Sequence, residues 1–405
     1  MKVLVNCYAC SPYQGSEPGM GWNFVRCLSR FHELHILTES KFQKDIEQFF
    51  SENPEEKENF HFYFLKRTRY NVLRKIWPPS YYWTYRQWQK KALKEAEMLD
   101  EKENFDLIHQ LNMAGYREPG YLWKMKKPLV WGPVGGFDNV PWCMLPSMGL
   151  YGTIFYTAYN LINTWQKYTD TRVKKAINSA DKLIAATQSA QDAIRRFYGR
   201  KSVVIPEVGL SESVPNAITE RKQEEKFKIC WSGLHIHRKA LNLLIEALAI
   251  LKRDDIELHV IGKGSCTEKW KRKANVLHVD NIVWYGWLKR SEAWNIMQNA
   301  HVFCITSLSD LTSTVILEAL SLGLPTIALD HCGFSNVLTN DCGIKIPIQS
   351  HSQVVCDIAK AIRRVMDDEE GRRAMALAAK ERARQYDWKT KAEQLTDIYK
   401  EVCHK

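Results

Sequence analysis

Two carboxylates stand eight residues apart in Asp310-Leu-Thr-Ser-Thr-Val-Ile-Leu-Glu318, where a buried strand should give way to a helix. The strand reads Val302-Phe-Cys-Ile-Thr-Ser307. The helix should open near Thr314 and run through Glu318-Ala-Leu-Ser-Leu322 until Gly323 and Pro325 stop it. Asp310 then lies on the loop outside the strand's carboxyl end, and Glu318 projects about one turn into the helix. Open α/β sheets bind ligands at that edge. Between the two carboxylates, Thr312, Ser313 and Thr314 supply hydroxyls and the unpaired N–H groups of a first helical turn, which favour an anion such as phosphate. One carboxylate for sugar hydroxyls, an amide cradle for a diphosphate and a second carboxylate for a ribose suit a nucleotide-sugar. The plainer alternative is an Asp that caps a helix and a solvated Glu.

A second cluster, His235, His237, Arg238 and Lys239, falls between the expected strand Phe227 to Trp231 and a helix starting near Ala240. Cations beside a helix N-terminus are disfavoured by the helix dipole unless an anion sits among them. A diphosphate would be that anion, with Arg238 offering a fork of donors and Lys239 a point charge. Two histidines without a neighbouring carboxylate make a weak metal site, and there is no Asp-x-Asp motif. No metal and no cofactor are therefore expected.

Glycines mark three further turns. The first, Gly15-Ser-Glu-Pro-Gly19, follows the first expected strand and precedes an apolar helix. Gly135 and Gly136 end Gly132-Pro-Val-Gly-Gly136 after another strand of the same half, and Gly262-Lys-Gly264 follows Glu257 to Ile261. Glycine lets a backbone approach a phosphate or sugar where a side chain would clash. The first turn does not follow G-x-G-x-x-G, which argues against a dinucleotide. Leu288, in the loop after Ile282 to Gly286, is expected near a nucleobase.

These residues need a scaffold. At 405 residues the chain is long for one core, so two domains of about 200 residues each are expected. Its 45% hydrophobic and 25% charged residues are those of a globular protein. In the first half, strands at Val3 to Tyr8, Leu34 to Thr38, Phe60 to Leu65, Asp106 to Leu111, Pro128 to Val134, Lys182 to Ala186 and Ser202 to Pro206 alternate with helical patterns. Polar Ser211 to Lys228 interrupts that rhythm as a linker, and a second doubly wound unit follows. The expected fold is thus α/β, with two Rossmann-like domains facing across a cleft. The boundaries are 1–210, 211–385 and a terminal helix at 386–405.

Eleven cysteines, an odd number placed mostly inside strands and helices, suit reduced thiols better than disulfides. The N-terminal apolar run is too short for a signal peptide, which points to the cytoplasm. Two segments of the first half stand out. Lys66 to Lys94 holds nine Lys or Arg, seven Tyr or Trp and no acid. From Asn139 to Gln166 there is no charge at all, though prolines, glycines and asparagines interrupt it too often for a spanning helix. The first favours an anionic partner, a membrane surface or a nucleic acid. The second reads as an apolar lid, a membrane-surface element or core.

Together the motifs resemble the family-4 retaining glycosyltransferases of the GT-B type. The resemblance covers nearly the whole chain, through the two glycine turns, Pro206-Glu-Val-Gly209, Arg238-Lys239, Gly262-Lys-Gly264, Asp310 to Glu318, and Leu324-Pro325. It implies that Asp310, standing where the family has its first Glu, holds the donor sugar hydroxyls, and that Glu318 holds the ribose. The amides near Thr314 and Val315 would hold the diphosphate. The family's phosphate-binding Arg falls on Leu234, so Arg238 is expected to substitute beside Lys239. His109 is the candidate for a first-domain His. The resemblance implies a saccharide or lipid-linked acceptor bound by the first domain, without a metal, and a protein peripheral on the inner face of a membrane in surface polysaccharide or glycolipid assembly. Alternatives are a GT-B epimerase or phosphorylase, which would need acid-base residues or a cofactor lysine that the chain does not offer. A nucleic-acid-binding module would leave the glycine turns and acidic pair unexplained.

Overall fold

The computed structural model describes residues 1–67, 80–210 and 226–404. Residues 68–79 of the cationic aromatic segment and 211–225 of the expected linker lie outside the described residues. Two α/β units result. One comprises Met1–Phe137, Trp165–Glu207 and Trp388–Lys405, and the other Asp138–Thr164 and Val208–Asp387.

The first unit contains strands β1 (Lys2–Cys7), β2 (Glu33–Glu39), β3 (Phe60–Leu65), β4 (Leu107–Asn112), β5 (Leu129–Val134), β6 (Lys182–Ala185) and β7 (Val203–Val204). Its helices are α1 (Ser16–Leu28), α2 (Gln43–Glu52), α3 (Ser80–Glu103), most of the chain after α4 (Gly149–Thr169), namely α5 (Thr171–Ser179) and α6 (Gln188–Tyr198), and the terminal helix described below. The strands lie parallel in the order β3-β2-β1-β4-β5-β6-β7. β1, β4 and β5 are buried almost end to end, as expected where helices cover both faces of a parallel sheet. The order reverses between β1 and β4, which leaves a crevice at their carboxyl ends.

The second unit repeats this plan. Strands β8 (Phe227–Ser232), β9 (Ile256–Ile261), β10 (Ile282–Gly286), β11 (Val302–Ile305), β12 (Thr326–Leu329) and β13 (Gly343–Ile346) run parallel in the order β10-β9-β8-β11-β12-β13, with the reversal between β8 and β11. The helices are α7 (Leu241–Leu251), α8 (Thr267–Val276), α9 (Arg290–Gln298), α10 (Thr314–Ser321), α11 (Phe334–Val337), α12 (His351–Asp367) and α13 (Glu369–Arg384). Residues 139–166, expected in the first domain, pack mainly with this one. Val140, Met144, Leu145 and Met148 join its core beside Phe227, Leu244 and Ile358. No helix of the described residues is long and apolar enough to cross a membrane.

α14 (Trp388–Cys403) belongs to the first unit, where the Trp388 ring meets Phe24 edge-on at 4.8 Å. Lys391, fully buried, donates from Nζ to Pro206 O at 2.7 Å, and burial pushes its pKa down to about 7. Two buried histidines also hold α14. His32 Nε2 meets Thr396 Oγ1 at 2.9 Å, and His109 Nδ1 meets the Tyr399 hydroxyl at 2.5 Å. Burial lowers both histidines from 6.5 to about 4. Between pH 6.5 and 4 the unfolded chain therefore binds more protons at these sites than the folded one, so this contribution to stability is lost as pH falls through that window. Hydrogen exchange of the α14 amides should accelerate between pH 6 and 4 after correction for intrinsic rates. His109→Gln should flatten that dependence.

Candidate functional site

Chemistry-bearing residues of the second unit collect at its reversal point. After β8 the chain forms a turn at His237–Lys239, and after β11 it passes through Ser309 and Asp310 into α10. β8 and β11 are neighbours, so the two loops meet. Lys239 Nζ donates to Asp310 Oδ2, Arg238 Nη1 lies 3.5 Å from Asp310 Oδ1, and Arg238 also donates to the Ser309 carbonyl. Arg238, Lys239 and Asp310, drawn from two separate stretches of sequence, are thus in direct contact.

The loops are braced from below and behind. Thr306 Oγ1 donates to Lys239 O at 2.8 Å and accepts from Trp231 Nε1 at 3.1 Å, tying the lysine's backbone to two buried strands. The amide of Asp310 donates to Cys332 Sγ at 3.4 Å, and Gly333 N donates to Leu311 O at 2.9 Å. A Cβ on Gly333 would come within 2.4 Å of Thr312 Oγ1, so the loop after β12 supports the Asp310 loop only with glycine there.

α10 begins at Thr314, with Ser313 at φ +73° and no side-chain cap. The amides of Ser313, Thr314 and Val315 belong to the turn that a helix leaves without intrahelical acceptors. Glu318, half-buried in the next turn, accepts from Arg290 Nε of α9 at 3.1 Å. Sequence reasoning missed Arg290, Thr306, Cys332 and Gly333. Arg290 opens an ordinary helix, and the others act through contacts between loops far apart in the chain.

Gly262 ends β9 at φ +120° and donates to Gly286 O at 2.7 Å, so the loops after β9 and β10 are joined. Leu288 follows, half-buried against the core, with Trp287 exposed beside it. His235 lies among Trp231, Trp270 and Trp284, its Nδ1 on Thr267 Oγ1 at 2.8 Å. Burial pushes its pKa down to about 4. His237 Nδ1 meets Met148 O at 3.0 Å. Both histidines serve packing rather than metal binding. Among the described residues, the group whose ligand atoms could hold a metal is Glu33, His35 and His61 on β2 and β3. These residues stand near the amino ends of those strands, and the glycine turns lie at the carboxyl ends of β1 and β5.

In the first unit the glycine turns join at the β1/β4 reversal. Glu17 Oε1 accepts from Ala114 N at 2.6 Å, and Ala114 O accepts from Gly135 N at 2.7 Å, linking the loops after β1, β4 and β5. Loss of water around that carboxylate raises its pKa. Gly136 takes φ +79°, while Gly15 has an ordinary extended backbone with open space at its Cβ position, and a Cβ on Gly19 would meet Gln14 O at 2.4 Å. His109 does not take the expected role. It lies inside β4 with its second nitrogen, Nε2, 2.7 Å from Gly132 O, so both nitrogens are committed to structure.

Residues 216–382 match the family described as glycosyl transferases group 1. Over this segment the chain is similar to group 1 glycosyl transferases. A phosphatidyl-myo-inositol mannosyltransferase from Mycolicibacterium smegmatis is 24% identical over 169 residues, 41% of this chain and 42% of that protein. A D-inositol 3-phosphate glycosyltransferase from Corynebacterium aurimucosum is 26% identical over 250 residues, 56% of this chain and 58% of that protein. The chain spans about half the length of the curated relatives it matches. Anabaena HepE in complex with UDP matches over 99% of this chain and 100% of its own, with a TM-score of 0.66 at 16% identity. WaaG, a glycosyltransferase involved in lipopolysaccharide biosynthesis, matches over 98% and 99%, with a TM-score of 0.58 at 19% identity. These likenesses establish the fold, the GT-B class.

The glycines of the site differ in what they tolerate. At Gly262 a Cβ would lie 2.0 Å from Gly233 O on a backbone that side chains avoid, so Gly262→Ala should cost at least about 2 kcal/mol of stability. Gly15→Ala should leave the melting temperature unchanged. Urea melts of the two variants check the contrast.

Proposed function

We propose that the chain moves a sugar from a nucleoside-diphosphate sugar to a saccharide or lipid-linked saccharide acceptor, with retention of anomeric configuration. The observation that carries this reading is the contact of Lys239 and Arg238 with Asp310 at the β8/β11 reversal, beside the first turn of α10. Two cations and a helix N-terminus form an anion site, and the carboxylate they now hold is the one needed for sugar hydroxyls. A diphosphate entering there draws Lys239 and Arg238 onto its oxygens and receives the amides of Ser313, Thr314 and Val315. Asp310 is then freed to accept hydrogen bonds from the donor sugar. Glu318, steadied by Arg290, accepts from the ribose. Donor binding and exposure of the sugar-binding carboxylate thereby become one event.

In the transfer, the bond from the anomeric carbon to the diphosphate oxygen breaks and a bond from the acceptor oxygen forms on the same face. The acceptor proton passes to the departing diphosphate. Lys239 and Arg238 offset the charge that develops on that diphosphate, the kind of preorganised stabilisation that contributes most when water is excluded. The reading assigns no metal and no cofactor to this step. Gly262 and Leu288 line the base side, and Gly15, Gly19, Gly135 and Gly136 give the first unit a bare backbone surface for substrate. UDP-sugars are the first donors to test, because HepE was solved with UDP.

We place the acceptor at an anionic membrane surface, in surface polysaccharide or glycolipid assembly, and assign no nucleic-acid partner. The support is the uncharged run at 139–166 and the cationic, aromatic Lys66 to Lys94. Among the relatives are a phosphatidyl-myo-inositol mannosyltransferase and a lipopolysaccharide 1,6-galactosyltransferase.

Lys239→Ala should lower turnover by about 10²–10³-fold, the usual cost of one preorganised donor to a developing anion. Glu318→Ala should chiefly raise the KM for the donor, by about tenfold, as the loss of one charge-assisted hydrogen bond implies. Glu318→Ala should melt within a few degrees of wild type, and Lys239→Ala should keep its fold but melt lower, because Asp310 then retains Arg238 alone. Steady-state kinetics with a panel of UDP-, GDP- and ADP-sugars tests this, and unchanged parameters in both variants contradict the assignment.

A further inference from the structure

α4 is turned inside out for a helix in water. Leu150, Tyr151, Ile154, Phe155, Leu161 and Ile162 are between 49% and 81% exposed, and their spacing sets them along one side of the helix. Its polar residues face inward. Asn160 is fully buried, exchanging hydrogen bonds with the Val140 amide and carbonyl at 3.0 and 2.8 Å. Asn163, also buried, donates to Asn139 Oδ1 at 2.8 Å, and Thr153 Oγ1 reaches Leu145 O at 2.8 Å. A surface helix normally buries its apolar stripe and shows its polar one. The reverse arrangement leaves a ridge far more apolar than water tolerates without a partner.

The surroundings say what the partner is. No Asp, Glu, Lys or Arg occurs from Asn139 to Gln166, so the ridge offers no charge for a partner to pair with, and of the six side chains only Tyr151 carries a hydrogen-bonding group. Beside it lies α8, which carries Lys269, Lys271, Arg272 and Lys273; Lys271 pairs with Glu268 and Lys273 with Glu246 of α7, while Lys269 and Arg272 are exposed. Lys269 Nζ comes 3.4 Å from Met148 O, at the residue before α4 starts. An uncharged apolar face flanked by cations matches the layer where anionic lipid headgroups meet acyl chains.

We propose that α4 lies in the interfacial layer of an anionic bilayer, with its Leu150 to Ile162 ridge among the acyl chains and the cations of α8 on the headgroup phosphates. This deepens the reading of a membrane-presented acceptor and rests on it only for its purpose, because the docking itself does not require catalysis.

The test is flotation of the full chain with vesicles of phosphatidylcholine, with and without phosphatidylglycerol. Wild type should float with the anionic vesicles at low salt. Ile154→Glu combined with Phe155→Glu should lower the bound fraction at least about tenfold, since each buries a charge in the layer. Lys269→Glu combined with Arg272→Glu should abolish the preference for anionic over neutral vesicles. All of these side chains are solvent-exposed, so melting temperatures should not fall. Absence of wild-type flotation at low salt, or equal flotation of the ridge variant, overturns the proposal. A wild-type dimer that the ridge variant dissociates overturns it as well, because a second copy would then cover the face. Thermal stabilisation by UDP-sugars should persist in every variant, and its absence in wild type counts against donor binding and not against docking.

Discussion

The structure depends on keeping two cations and a carboxylate close together at the end of a sheet. Lys239 and Asp310 are both largely shielded from water, and neither could be left alone there without a heavy desolvation cost. The resting arrangement resolves this by pairing Lys239 with Asp310 and setting Arg238 at the same carboxylate. On the proposed reading, a diphosphate would exchange one set of charge-assisted bonds for another without leaving a charge unpaired. The rest of the second unit maintains this condition. Thr306 and Trp231 anchor the lysine's backbone, Cys332 and Gly333 support the aspartate loop, and Arg290 steadies Glu318.

The same topology serves a different purpose in the first unit. There, at the reversal between β1 and β4, Glu17, Ala114 and Gly135 are joined in a chain of hydrogen bonds, and Asn112 ties the same loops through Ala9. On the proposed reading, this edge offers close backbone approach to substrate. A shared fold thus presents two chemistries, distinguished by the residues on the loops.

Much of this was legible before the structure. Thr326–Leu329 falls where an apolar run bounded by turn residues places it, because buried parallel strands need continuous hydrophobicity, and the partly buried edge strands Phe60–Leu65 and Ile282–Gly286 fall where expected as well. Asp310, Arg238 and Lys239 could also be singled out, since charged residues at strand ends are costly unless paired, and the structure brings the three into contact. What stayed hidden is whatever depends on contacts between distant segments. Cys332 reads as one buried thiol among many, and Arg290 as an ordinary surface cation. His109 looked available, but a strand-end position says nothing of the Tyr399 hydroxyl waiting 290 residues on. Residues 139–166 joined the other unit because four side chains, Val140 to Met148, found its core, and no composition shift marks that choice.

The central claim, that a diphosphate displaces Lys239 from Asp310, is tested most directly by a crystal structure of the chain with UDP or a UDP-sugar bound. The account predicts phosphate oxygens on Lys239 Nζ and on the amides at Thr314 and Val315, with the Asp310 carboxylate released. A nucleotide bound elsewhere, or phosphates bound while Lys239 still holds Asp310, would contradict it.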